Sequence, residues 1–114
     1  MITENYVSFE TAKLLKEKGF DVDECEVHYD PEDHTQYDIT QQMAMKWLRE
    51  SHKIHICVEI GFDVDNKQYY FFVPSVCRFS DKSGEYETPF GEKEFETYEE
   101  ACEAAIKYCL ENLV

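Results

Sequence analysis

His52 and His55 stand three residues apart, and Cys57 follows two further on. Imidazole nitrogen and thiolate sulfur are zinc ligands, so this H-x-x-H-x-C run raises the question of a metal site. Strand geometry argues against one. Residues three apart in a strand point to opposite faces, so His52 could join His55 only from a preceding loop. His55 and Cys57 share a face, but two ligands do not close a tetrahedral site, and no C-x-x-C supplies the others. Two strand residues on the less apolar face explain the pair better. His28, Asp30, Asp33 and His34 form a second cluster. It matches no metal-ligand spacing, and an acidic, Pro-containing surface turn explains it. Asp63, Asp65 and Asn66 open like a calcium loop. That loop needs Gly at its sixth position and Glu at its twelfth, and both are missing. A hairpin turn accounts for these residues.

Nucleophilic chemistry has five cysteines to draw on: Cys25, Cys57, Cys77, Cys102 and Cys109. A catalytic thiol needs an activating His and an exposed, electropositive setting. Cys102 and Cys109 fall on the apolar face of the last helical segment, where a thiol is expected to be buried and inert. No local signature marks the other three. The chain has no G-x-S-x-G, no P-loop and no G-x-G-x-x-G. With only four glycines, a phosphate-cradling loop is hard to build. The expectation is therefore no catalytic residue, no cofactor and no metal. Trp47-Leu48-Arg49-Glu50 is the most distinctive local string. Trp47 is expected to anchor its helix in the core. A rival reading puts Trp47 and Arg49 on an exposed binding edge, since both types are enriched at interface hot spots.

Charge narrows the classes of partner. There are 25 Asp and Glu against 11 Lys and Arg, a net charge of −14. Such a surface repels phosphate backbones and anionic lipid, so neither direct nucleic-acid binding nor membrane binding is expected. It suits solubility, or a basic partner. Met1 to Tyr6 has neither the basic region nor the apolar run of a secretory signal, and no apolar stretch approaches the ~20 residues of a membrane span. A cytoplasmic location with free thiols is the resulting expectation.

The elements that would position these residues are well marked. The 114 residues make one domain, 1–114, whose 43% apolar content suffices for a packed core. A first helix is predicted from about Phe9 to Lys18, with Ser8 as N-cap and Val7 and Ala12 at the staple positions. Gly19 and Phe20 fit a Schellman stop against Leu15. Cys25 to Tyr29 alternates as a short strand, and Asp30 to Asp33 is turn chemistry. A second helix is predicted from about Gln41 to Glu50, capped by Thr40, with Met43, Ala44, Trp47 and Leu48 as its apolar face. Ile54, Ile56, Val58, Ile60 and Phe62 alternate with polar residues. A hairpin of about 54–63 with 68–79 follows, with Pro74 demanding an edge or a bulge. Tyr69 to Val73 is apolar on both faces, which suits a central strand. A short strand is possible at Glu85 to Thr88. The last helix opens on the capping pair Thr97 and Glu100 and keeps a helical apolar period from Tyr98 to Leu113. The fold class read from this order is α+β: three helices on a small, mostly antiparallel sheet around a central hairpin. The expected core includes Leu15, Trp47, Ile56, Val58, Phe71, Ala105, Ile106 and Cys109.

Three segments carry a resemblance. Ser8 to Phe20, the helix ending in Lys46-Trp47-Leu48-Arg49-Glu50, and Thr97-Tyr98-Glu99-Glu100-Ala101 together resemble a small uncharacterised protein family of prophages and mobile elements in Bacteroides-type gut bacteria. The likeness runs over nearly the whole chain, in the same order. Its motifs are helix caps and apolar faces. The family has no assigned activity, so the resemblance implies a bacterial or phage setting and no functional residues. The leading functional expectation is a non-catalytic accessory or interaction protein of a phage or mobile element, binding a host or phage protein. A small enzyme with its site on the hairpin face is the alternative. A further alternative is an acidic mimic of DNA, using Asp21, Asp23, Glu24, Glu26, Glu92, Glu94, Glu96, Glu99, Glu100 and Glu103.

Overall fold

A computed structural model describes residues 5–22, 26–29, 35–63, 65, 70–91 and 93–114. Helix α1 spans Phe9–Glu17, and its two ends are fixed as the local residues require. The Ser8 hydroxyl accepts from Thr11 N–H at 3.2 Å. Gly19 takes φ +104°, a conformation that costs a residue without Cβ little. The Phe20 N–H donates to Leu15 O and the Gly19 N–H to Lys16 O, the two bonds of a Schellman stop. Val7 and Ala12, the staple positions, are both buried.

Helix α2 spans Gln41–His52, two residues beyond its predicted end. No Gly marks the stop. Lys53 closes it instead in the left-handed region at φ 56°, a conformation that non-glycine residues adopt uncommonly. Thr40 caps the start by accepting from Met43 N–H at 3.1 Å. Helix α3 spans Tyr98–Asn112, with Thr97 accepting from Glu100 N–H. Its inward face of Ala101, Cys102, Ala105, Ile106, Cys109 and Leu110 is fully buried. Each large aliphatic group sealed there contributes roughly 1.5–3 kcal/mol.

The strands form two antiparallel sheets. β1 (Glu26–Tyr29) pairs with β2 (Thr35–Asp38). The sequence reading expected β1 alone. Thr35–Asp38 is too short and too polar to show the alternation that marks a strand, and its partner supplies the ladder. The predicted turn at Asp30 to Asp33 lies outside the described residues. β3 (Ile54–Phe62), β4 (Tyr70–Phe79) and β5 (Gly84–Glu87) form the main sheet in that order. β5 falls within a residue of its expected place.

Pro74 neither ends nor bulges β4. Phe72 exchanges both backbone hydrogen bonds with Phe95, on the side away from β3. Pro74, two residues on, turns its donor-less nitrogen to that same side. There it falls between the Phe95 bridge and the start of β5 pairing at Val76. No ladder bond is lost, so the strand runs straight through.

Helices α2 and α3 cover one face of the main sheet, and α1 packs against α3 and β2. The core joins Leu15, Ile39, Leu48, Ile54, Ile56, Val76 and Ile106. Three expected members are less deep. Trp47 and Val58 are half-buried and rest against the cluster from its rim. Phe71 is half-buried on the opposite sheet face, because β4 alternates and, among the described residues, no helix lies over that face. The α+β reading of one compact unit, with three helices and an antiparallel sheet built on a central hairpin, is the fold observed. No helix among the described residues is long and apolar enough to cross a membrane.

Candidate functional site

The chemical clusters considered from sequence are scattered by the fold. His52 ends α2 with its ring 4.6 Å from that of Trp47. His55 lies exposed on the helix-free face of β3, with Cys57 half-buried beside it and Cys77 opposite His55. Ser75, opposite Cys57, donates its hydroxyl to Cys57 O at 3.4 Å. Among the described residues, no three His, Cys, Asp or Glu side chains could hold one metal ion. His28 lies in β1, while Asp30, Asp33 and His34 lie outside the described residues. Asp63 accepts from Asp65 N–H at 2.9 Å, an Asx turn that opens the hairpin loop. Asn66 lies outside the described residues.

The thiols divide as the helix period predicts. Cys57, Cys77, Cys102 and Cys109 are free, and Cys25 lies outside the described residues. Burial pushes the Cys109 thiol up to about 12, with a smaller contribution from the Glu87 carboxylate. Burial also raises the Cys102 thiol, partly opposed by its hydrogen bond with Tyr98. A thiol so held is a poor nucleophile at neutral pH.

Trp47 satisfies neither of its two readings fully. It is half-buried, with its ring edge-on to Phe20 at 5.8 Å between centroids. With Phe20, Asp21, Met43, Lys46 and Glu50 it lines a shallow surface groove. Arg49 lies off that groove. Of the ten acids named for DNA mimicry, Glu103 is turned inward. Its Oε1 accepts from Ser8 N–H at 3.0 Å and from the Thr11 hydroxyl at 2.7 Å, tying α3 to the start of α1. Asp23, Glu24 and Glu92 lie outside the described residues.

The feature that the structure brings forward is the far end of the β3–β4 hairpin. Ile60, Phe62 and Tyr70 are 52%, 62% and 52% exposed. They belong to the face that α2 and α3 cover further down the strands, where Ile54 and Ile56 are buried. Ile60 stands opposite Phe72, and Phe62 opposite Tyr70. The rings of Tyr70 and Phe72 meet edge-to-face at 6.0 Å, and those of Phe72 and Tyr98 at 6.3 Å. Tyr98 is the first residue of α3, so the helix stops where the patch begins. Burial raises the Tyr98 hydroxyl above its ordinary value, followed by its hydrogen bond with Cys102. On the other face the Phe71 ring lies over Gly61, so close that an added Cβ would fall 2.5 Å from it. Any side chain at residue 61 would displace that ring.

Acidic residues adjoin the patch. Asp63 and Asp65 follow Phe62, Glu94 and Glu96 flank Phe95, and Glu99 and Glu100 follow Tyr98. Lys93 lies over the Phe95 ring at 5.1 Å. The arrangement is an apolar, aromatic platform in a negative field. It offers ring faces and edges for packing, and attraction for cations. Sequence reasoning did not pick out this platform, because alternation names the face of a strand and not what covers it. The one available signal was the density of aromatics at the hairpin's turn end. No family model, curated protein or solved structure matches the chain.

Proposed function

We propose that this chain is a non-catalytic interaction protein whose partner docks on the aromatic end of the hairpin. The observation that carries this reading is the contiguous set of exposed Ile60, Phe62, Tyr70 and Tyr98 around half-buried Phe72, at the N-terminal end of α3. Exposed apolar patches rimmed by polar groups mark interaction sites, and aromatic anchors dominate the energy of such interfaces. The acidic residues beside the patch favour a partner that surrounds an apolar anchor with Lys or Arg. The resemblance of the three helical segments supports a host or phage protein as that partner.

The test is affinity capture from host extract with the natural chain and with a Tyr70→Ser, Tyr98→Ser variant. A partner held by the natural chain and lost by the variant is the expected result, with retention falling as salt is raised. Capture indifferent to both substitutions would sink this reading. So would turnover by the purified chain in a broad activity screen with no partner found.

A further inference from the structure

We propose that the outer edge of β3 pairs antiparallel with the same strand of a second copy. The product is a two-fold dimer with one six-stranded sheet, β5-β4-β3-β3-β4-β5. This inference stands on the backbone and charge of β3 and goes beyond the docking role given to the aromatic end.

The edge is open. β3 lies at the end of the sheet order, and among the described residues no strand or isolated bridge pairs with its outer side. Phe72 points its backbone groups away from β3, and it stands opposite Ile60. Ile60 therefore points its own N–H and C=O outward, as do Ile56, Val58 and Phe62. The Phe79 N–H donating to Lys53 O at 3.0 Å confirms the parity, since odd residues of β3 face β4. Natural edges are protected by Pro, Lys, bulges or short length. Ile54–Phe62 is nine residues long and contains no Pro and no Lys.

The strand is complementary to itself. The register that overlaps all of it places Val58 on its own copy at the two-fold axis. Even residues then meet even residues, so outward donors meet outward acceptors. On the helix-bearing face, exposed Phe62 comes beside the second copy's Ile54, and exposed Ile60 beside its Ile56. Charge follows the same symmetry. Lys46, Arg49, His52 and Lys53 outnumber Glu50 before the strand, and Asp63 and Asp65 outnumber Lys67 after it. Antiparallel pairing sets the basic end of each copy on the acidic end of the other, with Lys53 opposite Asp63. On the other face Glu59 comes opposite Cys57 and diagonal to His55 of the second copy, within side-chain reach. Two chains of net −14 repel at a distance. The β3 edge itself adds little to that repulsion, because Glu59 is the one carboxylate of Ile54–Phe62.

Sedimentation equilibrium of the full chain over a broad concentration series tests the proposal. A monomer–dimer equilibrium is expected. Ile60→Lys, at an exposed position that leaves the fold intact by circular dichroism, should abolish the dimer. Asp63→Lys alone should weaken it roughly tenfold, since each of the two symmetric ion pairs becomes a repulsion. Lys53→Glu added to Asp63→Lys should restore it. A monomer at every concentration overturns the proposal. A dimer that ignores Ile60→Lys, or that the double charge exchange fails to restore, overturns it equally. Tyr70→Ser and Tyr98→Ser should leave the dimer unchanged, so partner loss and dimer loss are separable.

Discussion

The two halves of the β3–β4 hairpin use the same residue types in the same alternation and meet opposite environments. In the near half, Ile54 and Ile56 are 1% and 7% exposed, and Val76 is fully buried. In the far half, Ile60 and Phe62 continue the same face at 52% and 62%. The strand does not change; the cover does. α3, at 15 residues, is about 22 Å long, and it crosses a hairpin whose nine-residue strand reaches about 30 Å. Its first residue, Tyr98, meets Phe72, and nothing of α3 extends beyond. An apolar period therefore states which side of a strand avoids water. Whether water is actually excluded depends on the length and placement of another element.

The sharpest way to break this comparison is to empty the near half. Ile106→Ala removes a fully buried side chain from the helix above Ile54 and Ile56, and should cost about 2–5 kcal/mol in urea unfolding. A loss under about 1 kcal/mol would mean that α3 is not seated as described.

A smaller effect separates the thiols of the two environments. Between the unfolded thiol value of 9.0 and the folded value of about 12 for Cys109, the folded chain holds a proton that the unfolded chain has released. Stability present below pH 9 is therefore lost as pH rises towards 12, by at most about 1.4 kcal/mol per pH unit for this group. Cys109→Val should flatten that alkaline slope. At neutral pH a thiol reagent should label half-buried Cys57 and Cys77 well before buried Cys102 and Cys109. Early labelling of Cys102 or Cys109 would contradict the docking of α3.

The smallest effect is expected in the far half. Ile60→Ala, measured on the monomer, should change unfolding free energy by no more than about 0.5 kcal/mol, as at other exposed sites. A loss matching that of Ile106→Ala would show that the far half is covered after all, and would remove the contrast.

The local features of the chain were set by its sequence. Ser8, Thr40 and Thr97 were readable as caps because each accepts a hydrogen bond from a backbone N–H three residues ahead, with no help from the rest of the fold. Gly19 and Phe20 were readable as a stop for the same reason. The buried face of α3 was readable because six inward residues at helical spacing leave little choice of side. Other features belonged to the tertiary structure. β2 is a strand because β1 pairs with it, and α2 runs on to His52 because Lys53 is held in a left-handed turn at the entry to β3. Trp47 sits at the rim because Phe20 arrives from α1 to meet it. Phe71 is half-buried and Ile60 exposed for a related reason: no helix among the described residues lies over them. Caps and periods depend on bonds within a few residues, so one sequence carries them in full. Cover, pairing and exposed edges depend on contacts between segments far apart in the chain, and only the folded arrangement decides those.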